Sequence, residues 1–442
     1  VSKYTCELTD RQLEAIQKLV DEMNANKSAF YYKDLQTLGR LIDIIFHRIK
    51  EGKEVFIEEL ISITQICNKP FLKEKTSDEL NHVPKTSYLL NAFAQILQDT
   101  GSNESRYLLF CEILNFINEF SSYGLDEYKN QDADYQMKKL YGNNFSLINT
   151  LHHEGTRNLR LIANSDILES LVYLLTTNIR DEACTIIVIY ILINCSLYKV
   201  NAEKLANLGV LKDLVSIISS AKDFRTILVR VCIEAIWNIL ENGGRMACRM
   251  MAYEEIVNSL FSTFHNVIRN CFRLDDRNIR NDICILINYV VSSAESHIYF
   301  IYKDQSSSDT TKISFLDNLL YYATHDEIIS IQKEMDQNVS VTNSKTRGFL
   351  NPAEFKFTTS PEDVEFKKII WTCILYIIKD NYSKKEVFEV LYKYRFILCL
   401  LLYLDPEAMK FSCISRWQQP QLKDIQMLSM SILLNVIPLY QK

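Results

Sequence analysis

Glycine and proline are scarce. The 442 residues contain 10 Gly and 7 Pro, where average usage gives roughly 31 and 22. That shortage disfavours folds needing many tight turns, phosphate loops or glycine elbows, and so excludes most sandwiches, propellers and nucleotide-binding α/β enzymes. Long apolar runs are also missing. The longest, Thr185–Asn194 and Phe396–Leu404, are far short of a membrane span of about 18 residues or more and suit buried helices. There is no basic excess: 49 Lys and Arg stand against 55 Asp and Glu, a net charge of −6. This argues against a nucleic-acid footprint and against a polybasic membrane anchor. Catalytic signatures are absent too: G-x-x-x-x-G-K-[ST], G-x-G-x-x-G, G-x-S-x-G and H-E-x-x-H do not occur.

Cysteine is present, with 12 residues, yet no C-x-x-C pair. Cys184, Cys195, Cys232, Cys284, Cys373 and Cys399 sit inside apolar runs. They read as reduced thiols packed as small hydrophobes in an intracellular protein. The chain starts at Val1 rather than Met and stops at Lys442 just after an apolar helical run. It is expected to be a piece of a longer polypeptide, and its first residues carry no reading of a leader peptide.

Almost every apolar stretch has a period near 3.6 rather than 2. Thr9-Asp10-Arg11-Gln12 forms a capping box, in which hydroxyl and amide satisfy the free N–H groups of a first helix. Further helices are expected at about 33–50, 54–68, 86–99 and 103–121, punctuated by Gly52, Pro70, Gly101 and Gly124. Length and periodicity together point to a helical bundle or a helical repeat array, since a single core stops growing near 250–300 residues.

A repeat decides between them. Ile189–Asn194, Ile236–Glu241 and Ile283–Asn288 align, with Tyr190, Trp237 and Cys284 each 47 residues apart, at the upper edge of the armadillo and HEAT range. Asn201–Leu211 reads as a short helix, a break at Gly209 and a new helix, and Gly243-Gly244 marks another break after a long third helix. The expected organisation is irregular helical repeats over 1–143 and regular armadillo-like repeats over 144–303. A polar insertion with short helices follows over 304–365, then helical repeats over 366–442. Within the insertion, Asp304–Lys312 reads as a loop and Gln337–Glu365 as a surface segment. The last part carries helices at about 366–379, 384–404 and 421–440.

No candidate chemistry stands out. His152-His153-Glu154 are neighbours on a helix, so the two imidazoles point about 100° apart and do not face one metal. Glu58-Glu59, Glu254-Glu255 and Asp275-Asp276 diverge likewise and suit a solvated face or a helix N-terminus. No cofactor and no metal is implied, and the chain reads as a non-enzyme.

The informative surface is the line of third helices. Tyr190 with Asn194, Trp237 with Glu241, and Cys284 with Asn288 are pairs one turn apart that would project into a groove. Asparagine amides there suit an extended peptide backbone, having both donor and acceptor. Alternatively, these side chains hydrogen-bond between neighbouring helices. An importin-type groove needs Trp and Asn together in successive repeats, and here Trp237 is followed by Glu241. An arginine group, Arg245, Arg249, Arg269, Arg273, Arg277 and Arg280, lies near the turns of the same repeats. It reads either as a solvated edge with local ion pairs or as a grip for acidic tails. Tyr321-Tyr322 suit helix packing first.

The repeats resemble the armadillo family. Lys75-Thr76-Ser77-Asp78-Glu79, then Phe349–Thr358, then Gln426–Leu433 leading into Val436-Ile437-Pro438-Leu439 are together, in this order, similar to the cilia- and flagella-associated protein sixty-nine family. The resemblance implies an all-α, right-handed superhelix of armadillo/HEAT-like repeats covering roughly the first half of the family's chain. It implies a structural role in a projection of the central apparatus of motile cilia. Its partners would be other axonemal projection proteins in a hetero-oligomeric assembly, with microtubules met only indirectly and neither nucleic acid nor membrane bound. A soluble peptide-binding adaptor in transport or signalling, and a regulatory subunit of an enzyme, are the competing expectations.

Overall fold

The computed structural model describes residues 21, 34–52, 56–67, 88–100, 106–122, 125, 157–177, 181–270, 274–293, 315–336, 360–381 and 385–437. Among these residues there is no strand. The Thr9 capping box, His152-His153-Glu154, Asp304–Lys312, most of Gln337–Glu365, Pro438 and the Lys75 and Phe349 motifs lie outside them.

The chain divides into two compact units, the first comprising Val1–Val210 with Glu241–Gly243, the second Leu211–Leu240 with Gly244–Lys442. The division falls inside the stretch 144–303 that reads in sequence as one array. In unit 1, α1 spans Asp34–Lys50, α2 Ile57–Cys67, α3 Tyr88–Thr100 and α4 Tyr107–Ser122. They are followed by α5 (Arg157–Ala163), α6 (Ile167–Thr176), α7 (Glu182–Ser196) and α8 (Lys199–Asn207). Helix α7 opens where the Asp181 side chain accepts a hydrogen bond from the Ala183 N–H, which satisfies one of the unpaired donors of its first turn.

These helices pack in two rows. One joins α1, α3 and α6; the other joins α2, α4 and α7. The first row contains a close approach at Gly39 on α1, where a Cβ would collide with the backbone of Tyr88 and Leu89 on α3. Glycine is required there for proximity rather than for its dihedral freedom. Neutral polar contacts join neighbouring helices. The Ser170 hydroxyl on α6 donates to the Ala94 carbonyl (3.1 Å), and buried Asn158 on α5 donates to the Phe120 carbonyl at the end of α4 (2.8 Å). Buried Asn201 on α8 donates to the Leu159 carbonyl on α5 (3.0 Å). Phe93, Phe110, Phe116 and Phe120 fill the interior, each contributing about 1.5–3 kcal/mol by burial.

Unit 2 continues the short–medium–long pattern. Val210–Ser220 is α9 and Ile227–Met251 is α10. Gly209 ends α8 with φ +84°, and Gly244 breaks α10 with φ +57°, backbone settings that side-chain-bearing residues rarely adopt. Both breaks were legible in sequence. After Gly244 the chain resumes as a short helix, then α11 (Glu254–Asn270) and α12 (Leu274–Ser293). The three long helices therefore start at 182, 227 and 274. Next come α13 (Phe315–Asp336), α14 (Pro361–Asn381), α15 (Lys385–Lys393) and α16 (Phe396–Leu402). A 3-10 turn at Pro406–Lys410, α17 (Ser412–Ser415) and α18 (Gln419–Val436) follow. The stretch expected to hold only short helices thus contains the 22-residue α13. The single helix expected at 384–404 is two, separated at Arg395, whose φ is +50°.

Within unit 2, α12, α14 and α18 form a row, and α13 packs on α14 and α16. Its core centres on fully buried Trp371. The indole N–H donates to the Ala323 carbonyl (3.2 Å), and the ring meets Tyr403 edge-on at 5.3 Å. Tyr322 is likewise buried, its hydroxyl paired with His265 Nδ1 at 3.1 Å, which agrees with packing as the role of Tyr321-Tyr322. The six cysteines read as core residues are all buried. Burial pushes the Cys232 and Cys413 thiols up to about 12, which keeps them protonated and unreactive at neutral pH.

Candidate functional site

Each unit has a row of helices with a recurring outward face, and its registers can be read directly. In unit 1, α2 shows Glu58, Ser62 and Gln65 outward. Leu108, Glu112, Asn115 and Glu119 occupy the same face of α4, and Ala183, Ile187, Tyr190 and Asn194 that of α7. Each set follows the i, i+4, i+7 spacing of one helix face. Side chains at the seams confirm that the faces adjoin. The Gln65 amide donates to Glu112 Oε1 (3.0 Å), and the Tyr107 hydroxyl donates to Asp181 Oδ2 (3.0 Å) and lies 3.4 Å from Cys184 Sγ. Those contacts, led by Cys184, raise the Tyr107 phenol well above its ordinary range. Burial likewise raises the neighbouring Cys111 thiol to about 11.

The expected groove residues fare differently. Tyr190 is 42% exposed and Asn194 half-buried, its amide donating to Ser121 Oγ on α4 (3.3 Å). Trp237 is half-buried and Glu241 exposed. Cys284 does not project outward: it is fully buried beside Cys373 of α14, whose thiol is raised well above its usual value by burial and then by Cys284. The outward face of α12 instead passes through Asn278, Asp282, Ile285, Tyr289 and Ser292, one residue out of the register that the 47-residue spacing gives. Asn288 is half-buried and accepts from the Cys373 thiol at 3.5 Å. Both asparagines thus bond across to neighbouring long helices.

The arginine group divides. Arg245 and Arg249 are exposed, and Arg273 lies outside the described residues. Arg280 is not at a solvated edge. It is buried, with Nη1 3.0 Å from Asp363 Oδ1, Nη2 donating to the Glu362 carbonyl (3.2 Å) and the guanidinium 3.9 Å above the Phe366 ring. Arg277, half-buried, lies 3.7 Å from Asp363 and donates to Ser360 Oγ (3.1 Å). Both arginines therefore hold the N-terminus of α14, and Arg280 is unavailable to an acidic tail. A second buried pair, Lys367 with Glu327, joins α14 to α13, and the Tyr403 hydroxyl donates to the same Glu327 oxygen (2.6 Å). None of these inward pairs is readable from local spacing, since the partners are 40 and 83 residues apart.

Glu58-Glu59 and Glu254-Glu255 occupy the first turns of α2 and α11, where carboxylates oppose the positive end of the helix dipole. Among the described residues no group of three or more His, Cys, Asp or Glu is placed to hold a metal, and no helix is long and apolar enough to cross a membrane.

The profile of the family described as "Cilia- and flagella-associated protein 69, ARM repeat" matches residues 1–442. The chain belongs to that family. Its fold is accordingly an all-helical armadillo-type solenoid, of which the recurring short, medium and long helices are the repeat. Similar curated relatives, each named cilia- and flagella-associated protein 69, include those of Homo sapiens, 21% identical over 434 residues, and Papio anubis, 23% identical over 439 residues. Each match covers 98% of this chain and 39% of the relative, so the chain spans about two fifths of their length. A solved structure titled as a crystal complex of SYS-1/POP-1 aligns over 85% of this chain and 69% of its own at 13% identity, with a TM-score of 0.37. That likeness is too distant to bear on function.

Proposed function

We propose that this chain is a non-catalytic structural scaffold of the ciliary axoneme, within a projection of the central apparatus. It binds other axonemal proteins there and meets microtubules only through them. The observation that carries this reading is membership, over the whole chain, of a family named for cilia and flagella. The architecture supports it: helical repeats stack each unit on its neighbours and leave long faces for protein contact. Tyr190, Asn194, Trp237, Glu241 and Asn288, with Ile285 and Tyr289 in place of Cys284, are the proposed contact residues of those faces.

The test is fractionation. The protein is tagged in a motile ciliated cell and the isolated axonemes are stripped of membrane and matrix with detergent. Retention in the insoluble axoneme, lost in cells that lack the central pair, is the expected result. Release into the soluble fraction overturns the proposal. It would favour a soluble peptide-binding adaptor, which the unbroken outward register of α4 and α7 also suits. Asn194→Ala would then weaken binding of a linear peptide to the face of unit 1.

A further inference from the structure

The three helices of one row of unit 1 carry charge of one sign only. α2, α4 and α7 contain Glu58, Glu59, Glu112, Glu119 and Glu182, and no Lys, Arg or His. Glu58, Glu59, Glu119 and Glu182 are exposed, and no cation among the described residues pairs with them. The same helices carry large apolar side chains in solvent: Leu108 is 58% exposed, Tyr107 43% and Tyr190 42%. Among the described residues the nearest basic side chain in sequence, Arg106, has its Nε buried. Lys199, at the start of α8, is paired with Glu203. In unit 2 the long helices are mixed in sign: α12 carries Arg277 and Arg280 with Asp276 and Asp282, and α14 carries Lys368 and Lys379 with Glu362 and Glu365.

We propose that the α2–α4–α7 face is a docking surface for an extended segment of a partner protein bearing Lys or Arg at about every third position. The sign of charge selects the chemistry, because carboxylates with no cation beside them among the described residues attract a basic segment and repel polyanions. The apolar side chains select the residue type. The aliphatic stems of Lys and Arg lie on apolar surface while their heads reach carboxylates, and an aromatic face such as Tyr190 accepts a cation. The helix spacing sets the repeat. Packed helix axes are about 8–10 Å apart, and an extended chain rises about 3.3 Å per residue. Successive helices are therefore met by residues about three apart. This inference goes beyond the axonemal reading and does not depend on it.

The test uses the intact chain and two labelled synthetic peptides of identical composition, one with Lys or Arg at every third position and Leu or Ser between, the other scrambled. Fluorescence anisotropy is expected to show binding of the periodic peptide that weakens as salt rises. The triple reversal Glu58→Lys, Glu119→Lys and Glu182→Lys is expected to weaken binding about tenfold or more, by the sum of several exposed charge pairs. Glu254→Lys on α11 is expected to leave it unchanged. The neutral set Glu58→Gln, Glu119→Gln and Glu182→Gln keeps the test valid where the reversed chain fails to fold, a loss of binding again being expected. Equal affinity of wild type and both triple variants overturns the proposal. So does equal binding of the scrambled peptide, or an equal loss in Glu254→Lys.

Discussion

Among the described residues of unit 1 the fully buried polar contacts between helices are neutral, Asn158 to the Phe120 carbonyl, Asn201 to the Leu159 carbonyl and Ser170 to the Ala94 carbonyl, while its ion pairs between helices, Lys204 with Glu169 and Lys50 with Asp99, stay partly in solvent. In unit 2 the buried contacts include ions, with Lys367 on Glu327 and Arg280 on Asp363 among residues almost wholly removed from solvent. An amide reaching a carbonyl is satisfied at modest desolvation cost. A buried ion pair gains little net stability, yet losing either partner leaves an uncompensated charge. The consequence reaches the surface. Unit 2 spends carboxylates inward to fix how α12, α13 and α14 meet, while Glu58, Glu59, Glu119 and Glu182 of α2, α4 and α7 remain exposed and pair with no cation among the described residues. One repeat architecture thus holds ion pairs deep inside unit 2, whereas the ion pairs described in unit 1 lie nearer the solvent.

The comparison breaks most easily at its ionic end. Lys367→Met alone strands Glu327 and is expected to cost about 3–5 kcal/mol in denaturant unfolding. Lys367→Met combined with Glu327→Leu is expected to recover most of that loss. Similar stabilities of single and double variants would show that the pair is not acting as one. In unit 1 the most damaging small change is expected to be steric. Gly39→Ala places a Cβ against α3 backbone that has no side-chain freedom to yield, and is expected to cost about 1–3 kcal/mol, read as a lower melting temperature. Asn201→Ala removes a neutral contact and is expected to cost about 1–2 kcal/mol, less than the loss of Lys367. An equal or larger loss would erase the distinction between the units.

The smallest effect concerns what is common to both units, the buried thiols. Burial raises Cys232 from 9 to about 12 in the fold. The folded state therefore keeps a proton that the unfolded chain releases. The sign follows: this contribution is fully present below pH 9 and is lost as pH rises from 9 towards 12. The slope approaches about 1.4 kcal/mol per pH unit for each such thiol. Stability measured from pH 8 to 10 is expected to fall less steeply in Cys232→Ala than in wild type. Parallel curves would contradict the assignment.

Much of this was legible in the sequence, for identifiable reasons. Periodicity marked the helices because each buries one face, and Gly209 and Gly244 marked breaks because their positive φ favours glycine. Cysteines inside apolar runs were core residues as composition suggested. The register of α12 was not legible. Arg280 and Asn281 look outward-facing by polarity, but Asp363 and the Glu362 carbonyl, more than 80 residues away, draw them in and turn Ile285 and Tyr289 out. The α4 face was not legible because the repeats over 1–143 are irregular in sequence, although Leu108, Glu112, Asn115 and Glu119 carry the same spacing as Ala183, Ile187, Tyr190 and Asn194. Gly39 offered a signal in retrospect: a glycine inside an amphipathic helix has either a conformational or a packing reason, and here it is packing.

The most direct measurement is retention in detergent-extracted axonemes of the wild-type protein beside the Glu58→Lys, Glu119→Lys, Glu182→Lys variant, with both shown to be folded. The account predicts that the wild type stays with the axoneme and that the variant is released or markedly depleted. A wild-type protein that washes out, or a variant retained as fully as the wild type, would contradict it.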